Sequence, residues 1–249
     1  MKKILEVKEV EKHFSQASVL KGISVDIYQE DFTVIMGSSG SGKSTFLYCI
    51  SGMDSPTKGC VHLLGEDIVM KKEKELAELR RRNMGFVFQQ MNLLPSLTLL
   101  ENIVTPGYLI GRKKEEVKEA AMNLLERFEI ADLSDRLPNQ ISGGQLQRAS
   151  IARALINEPE LVFADEPTGA LNSSSGQAVL DILTEFNTKE KQSILMVTHD
   201  IKAAIRANRI IYLNDGQIKG ELKLEGYVDS RGINDREKHV LDWLSEMGW

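Results

Sequence analysis

Apolar residues along this chain follow two periodicities, and the change between them falls near residue 92. Before it, Ile4-Leu5-Glu6-Val7 and Ile23-Ser24-Val25-Asp26-Ile27 alternate in part with period two, which predicts half-buried strands. Phe32 to Met36, Gly59 to Leu64 and Met84 to Phe88 are short apolar runs and predict further strands. From Asn92 to Leu155, after an opening near Pro95, the pattern turns helical. Glu115 to Phe128 puts Val117, Ala120, Ala121, Leu124 and Leu125 on one face. Strand runs then return at Leu161 to Ala164 and Ile194 to Thr198. Arg209 to Leu213 and Gln217 to Leu224 flank Asn214-Asp215-Gly216 as a hairpin. The segment from Lys71 to Arg82 is charged at most positions and reads as a solvated helix face without a function. The pattern is that of an α/β protein with a helical insert, hence two lobes. Residues 1–91 and 157–225 form the expected core, 92–156 a helical subdomain and 226–249 a tail. In the tail, Asp235 is the expected helix N-cap. Val240, Trp243, Leu244 and Met247 form one stripe, and Gly248 is the stop. So short a helix is marginal alone. It is expected to dock on its own lobe or on a second copy, with intrachain burial favoured.

Composition narrows the class. With 249 residues, 42% hydrophobic and 27% charged, the chain has ample material for a core. A net charge of -5 argues against a general nucleic-acid binder. No apolar run approaches the ~18 residues of a membrane span. Glu6, Lys8 and Glu9 interrupt any signal-peptide pattern at the start. Cys49 and Cys60 lack metal-ligand spacing and read as packing residues of a reducing compartment, so a cytoplasmic location is expected.

The chemistry centres on Gly37-Ser38-Ser39-Gly40-Ser41-Gly42-Lys43-Ser44-Thr45, between an apolar run and a helical one. Such a loop lets backbone N–H groups surround a phosphate at a helix start; Lys43 reaches the terminal phosphates and Ser44 ligates Mg²⁺. A plain flexible turn is the alternative, and the strand–loop–helix context favours the nucleotide site. Ser142-Gly143-Gly144-Gln145 repeats the arrangement in weaker form and by itself would pass for a helix cap. Asp165-Glu166 closes an apolar strand, where Asp165 suits a Mg²⁺ shell and Glu166 a catalytic base. A solvated strand end is the bland reading. His199 follows the strand ending at Thr198, where a histidine is more often structural, but it shares the predicted ligand edge with Gly37 and Asp165. Phe14 is open between a core residue and a stacking platform for a purine.

Together these residues resemble the ATP-binding subunit of an ABC transporter, over roughly Lys3 to Leu224. In that family's terms Phe14 is similar to the A-loop aromatic, Gly37 to Thr45 to Walker A and Gln89 to the Q-loop glutamine. Ser142 to Gln145 is similar to the signature loop, Leu161 to Glu166 to Walker B and His199 to the switch histidine. The resemblance implies a P-loop NTPase (RecA-like) core with an inserted helical subdomain. It also implies bound ATP and Mg²⁺, with Ser44, Gln89 and Asp165 as metal ligands and Glu166, His199 and Gln89 as catalytic residues. Two copies would pack head to tail around two ATP, each between one P-loop and the partner's signature loop. Gly85 to Gln89, Leu93-Leu94-Pro95 and Ala164 to Leu171 resemble the lipoprotein-release, macrolide-export and antimicrobial-peptide-resistance subgroup. This implies a membrane permease partner, contacted near Gln89 to Leu100, and a peripheral location on the inner face of the cell membrane. Two positions depart from the family pattern: Ile141 stands where leucine is usual, and Asn172 where the D-loop aspartate is usual. A soluble ABC ATPase of translation or DNA repair would usually carry two cassettes or a long coiled coil, and this chain has one P-loop. A P-loop kinase or GTPase would leave the Ser142 to Gln145 loop unexplained.

Overall fold

A computed structural model describes residues 2–15, 17–227 and 232–249. The chain divides into two compact units, residues 1–76 with 184–249 and residues 77–183. These limits differ from the boundaries expected from sequence, at 91/92 and 156/157.

The first unit opens with β1 (Lys3–Phe14), β2 (Ala17–Tyr28) and β3 (Phe32–Met36), followed by α1 (Lys43–Ile50). β4 (Lys58–Leu63) and β5 (Glu66–Asp67) complete an antiparallel sheet of order β2-β1-β4-β5. α2 (Glu73–Asn83) runs into the second unit. It is not wholly solvated, because Leu76 and Leu79 are buried on one side.

The second unit carries β6 (Met84–Phe88), α3 (Leu99–Leu109), α4 (Lys114–Arg127), α5 (Gly143–Leu155) and β7 (Leu161–Asp165). β6 and β7 pair in parallel, and α5 packs on β6. Thr98 and Glu101 form a reciprocal cap at the start of α3. The helical face expected of α4 is real: Val117, Ala121 and Leu125 are fully buried. Buried Asn102, unremarked in the sequence, accepts from Leu94 N and donates to the carbonyls of Leu94, Leu97 and Thr98, so it fixes the entry to α3.

α6 (Ser173–Glu190) leads back to the first unit, which ends with β8 (Ser193–Thr198), α7 (Ile201–Ala204), β9 (Arg209–Asn214), β10 (Gln217–Lys223) and α8 (Ile233–Glu246). β3 lies between β8 and β9 in parallel, and every residue of β3 and β8 is buried, as continuous apolar runs require. β10 pairs antiparallel with β9 through the expected hairpin, whose turn is Asp215 at φ 49° and Gly216 at φ 72° because Asn214 still belongs to β9. Cys49 and Cys60 are both free, and burial pushes the Cys49 thiol up to about 11, so it packs as a protonated side chain.

The tail corrects one expectation. Its helix starts at Ile233 behind Gly232 in a left-handed conformation, so Asp235 is a first-turn residue and not the N-cap. A carboxylate suits either place, because both meet the positive end of the helix dipole. The expected stripe is present, with Val240 and Leu244 fully buried, and Gly248 follows the last turn at φ 81°. The helix is docked within its own unit, against α7 and β10.

Candidate functional site

In the first unit the parallel register aligns two loops. Met36 pairs with Thr198, so Gly37 and His199 leave neighbouring strands at the same edge. The loop from Gly37 then curls around the Lys43 ammonium, which donates to the carbonyls of Gly37 at 2.9 Å and Ser38 at 3.0 Å. Lys43 is buried although charged, and these carbonyls are part of what holds it there. Gly42 precedes α1 at φ 100°, a conformation in which a side chain is strained. Gly37 is needed for a different reason: a Cβ there would come within 2.1 Å of the Leu213 carbonyl oxygen. Ser38, Ser39 and Gly40 are exposed, and Ser44 and Thr45 stand half-buried in the first turn of α1. Ser41 is buried and its Oγ has no hydrogen-bond partner. An orphaned hydroxyl beside an enclosed ammonium at a helix start fits a phosphate chain.

The hairpin turn contributes to this loop, which the sequence did not reveal. Gly216 N donates to the Ser41 carbonyl at 3.1 Å, and Lys21 N donates to the Gly216 carbonyl at 2.9 Å. A Cβ on Gly216 would lie 2.1 Å from the Val19 carbonyl oxygen. Asp215-Gly216 therefore buttresses the phosphate loop as well as closing a hairpin, and no local signal distinguishes the two uses.

Phe14 ends β1 with 48% of its surface exposed, which removes the core-residue reading. One ring face has the Lys12 ammonium 4.9 Å from its centroid; that ammonium is tied to Asp54 Oδ1 at 2.6 Å and the Ser55 carbonyl at 2.7 Å. His199 is exposed, and the next residue caps α7, with Asp200 Oδ1 accepting from Lys202 N at 2.8 Å.

In the second unit the register repeats the device. Phe88 pairs with Asp165, so Gln89 and Glu166 emerge side by side. The Gln89 side chain lies against Gly169, where a Cβ would come within 2.8 Å of Nε2. Asp165 is buried at the end of its strand. Glu166 is held at φ 45°, a left-handed conformation that costs a non-glycine residue about 1–3 kcal/mol. The same φ region is occupied by Glu9, Glu30, Glu129 and Glu158, so the conformation of Glu166 sets the direction of its backbone without by itself marking a function.

Ser142 to Gln145 opens α5. Gln145 Oε1 accepts from Ser142 N at 3.1 Å and from Ser142 Oγ at 2.8 Å, so the loop is capped by its own side chain. Asn172 Oδ1 accepts from Ser175 N and Ser174 Oγ, both at 2.9 Å, and thereby caps α6. An aspartate would make the same cap, so the departure at Asn172 leaves the local structure unchanged.

The ABC transporter family model matches residues 20–169. The chain is 44% identical over 222 residues to the lipoprotein-releasing system ATP-binding protein LolD of Aquifex aeolicus, covering 89% of this chain and 99% of that protein. It is 42% identical over 249 residues to the bacitracin export ATP-binding protein BceA of Halalkalibacterium halodurans, covering 98% and 96%. A solved dimeric structure of the ATP-binding cassette MJ0796, in a post-hydrolysis state bound to ADP and Pi, is similar with a TM-score of 0.83 and 39% identity. That likeness covers 90% of this chain and 100% of the other.

Proposed function

The chain belongs to the ABC transporter family, and we propose that within it this is the ATP-hydrolysing subunit that drives a membrane permease for export, release or resistance to a peptide, lipoprotein or drug. The observation that carries this is the pair of helix starts: one holds an enclosed lysine, the other a capped loop without a cation. ATP binds at Gly37 to Thr45, with Lys43 against the terminal phosphates and the base stacked on the free face of Phe14. Ser44, Gln89 and Asp165 are the side chains that would hold Mg²⁺, whose charge would offset that of the phosphates. Glu166 orients the attacking water and takes its proton, and His199 contacts the terminal phosphate. Ser142 to Gln145 meets the ATP bound to a second copy, so that two chains enclose two nucleotides. No helix among the described residues is long and apolar enough to cross a membrane. The membrane association we propose is peripheral, on the inner face, through the permease. Residues 1–91 with 157–225 act as the catalytic lobe and 92–156 as the helical lobe, and the permease is met near Gln89 to Leu100.

Crosslinking from single cysteines placed at Leu94 and at Lys58, followed by capture from membranes, tests this reading. A permease-class membrane protein should be trapped from Leu94. Trapping from Lys58 alone, or of no membrane protein at all, would contradict it.

A further inference from the structure

The sequence motifs assigned to nucleotide end at His199, yet the helix at the far end of the chain is anchored to the segment that follows that residue. α7 begins two residues after His199 and is a single turn. A turn so short has no stability of its own, so its place is set by whatever holds its two ends. The start is fixed by Asp200, whose N donates to Thr198 Oγ1 at 3.0 Å while its carboxylate caps Lys202 N. The finish is held at Asn208 by β3, where Asn208 N donates to the Phe32 carbonyl at 3.1 Å and Asn208 Oδ1 accepts from Phe32 N at 2.9 Å. One step earlier it is held from the tail. The Arg236 guanidinium, on α8, donates to the carbonyls of Ile205 and Ala207, just past the end of α7, and to the Glu225 carbonyl at 2.7 Å. A cation placed there also meets the negative end of a helix dipole.

The anchor is built with some redundancy. The Tyr227 ring has the Arg206 guanidinium 5.4 Å from its centroid and that of Arg236 at 6.0 Å. Arg206 is buried and donates to Thr184 Oγ1 at 3.1 Å, which ties the same corner to α6. α8 itself is seated by Val240 and Leu244 and by the pair over Gly220, where a Cβ would come within 2.7 Å of Met247 Sδ and 3.1 Å of the Trp243 ring.

From this arrangement we infer that Arg236 is a positioning residue for His199: by closing the far end of α7 it fixes the backbone from which the histidine projects, making the tail part of the catalytic apparatus. The inference rests on the reading of His199 given above. Arg236 touches neither nucleotide nor water, and its effect passes through His199.

The test is a double-mutant cycle in the full-length chain, with steady-state ATP hydrolysis and ATP binding measured for Arg236→Met, His199→Ala and the pair. Arg236→Met should lower kcat about tenfold, in line with the cost of slight misplacement of a catalytic group, and leave the ATP Kd unchanged. Added to His199→Ala, followed in long incubations, it should change turnover by less than about twofold. Arg236→Lys should recover part of the loss, since it keeps a cation but not the fork. Unchanged kcat in Arg236→Met, or an equal loss in both backgrounds, overturns the inference and leaves His199 in place. Wild-type turnover by His199→Ala alone defeats the role of His199, and the inference with it. Trp243 and Trp249 emission reports whether the tail stays docked. Should Arg236→Met not fold, Gly220→Leu decides in the same two backgrounds, because it displaces Trp243 and Met247 while keeping the guanidinium. It should show the same loss confined to kcat, and additive losses would overturn the inference.

Discussion

The starts of α1 and α5 face a similar task with unequal means. At α1 the backbone is bent through a left-handed glycine, a lysine is enclosed by two loop carbonyls, and a buried hydroxyl waits without a partner. At α5 no cation belongs to the loop, and Gln145 folds back on Ser142. Helix-end dipoles at a surface are worth roughly 0.3–1 kcal/mol, whereas hydrogen bonds to a charged group are worth about 1.5–3 kcal/mol. On the proposed function, the first loop therefore has the means to hold a nucleotide by itself. The second adds enough to matter only when an anion is delivered already bound, which is what a second copy would do. On the proposed function, that inequality assigns nucleotide affinity to the first loop and dimer formation to the second.

Four substitutions sharpen or break that separation. The largest effect is expected from Glu166→Gln, which should lower turnover by ~10²–10⁴-fold while keeping ATP bound. Both loops should then stay engaged, and size-exclusion chromatography with ATP should show a persistent dimer. Near wild-type turnover would remove Glu166 from its role. Lys43→Ala should weaken ATP binding by about 10–100-fold, the loss of a charge-assisted contact. A fluorescent ATP analogue that binds equally well to this variant would erase the difference between the loops. Gly143→Asp is expected to spare the fold, because the nearest atom to its Cβ, Leu171 Cδ2, is 3.6 Å away and an acidic residue suits a helix start. ATP binding by the monomer should be unchanged, while the ATP-driven dimer is weakened about tenfold by the added negative charge. Loss of monomer binding in this variant would mean that the loops are not separable. The smallest effect on ATP binding or dimer formation is that of Gly216→Ala, which reaches the nucleotide only through the support of its loop and is read by thermal denaturation and ATP titration. A Cβ at φ 72° against the Val19 carbonyl should cost about 1–2 kcal/mol and loosen the phosphate loop that the turn supports.

Legibility in the sequence followed the range of the interaction. Runs such as Phe32 to Met36 and Ile194 to Thr198 announce buried strands because burial on both faces leaves no room for polar residues. Lys43 and its glycines were readable because the motif specifies its own local backbone. Phe14 stayed ambiguous because alternation in a strand says which face a ring is on, not whether that face is covered. The start of α8 was misplaced by three residues, since Gly232 and Asp235 both carry helix-start chemistry and only the backbone decides between them. The Gly216 buttress, the clasp of Arg236 and the strained Glu166 had no local signal at all. The first two arise from contacts between residues brought close only in the folded chain, and the third is a backbone angle that residue type does not specify.

The central claim is that a working site takes its P-loop from one chain and its signature loop from another, and mixing two defective chains tests it most directly. At limiting ATP and protein concentrations Lys43→Ala and Gly143→Asp are each expected to turn over well below the wild-type rate alone, because every site in either homodimer has one damaged loop. In a mixed dimer one site combines both lesions and the other has neither. Equal amounts of the two should therefore recover turnover, up to about a quarter of the wild-type rate per chain for random pairing in a two-fold dimer. A mixture no more active than its separate components would contradict the account, because sites completed within one chain would gain nothing from a partner.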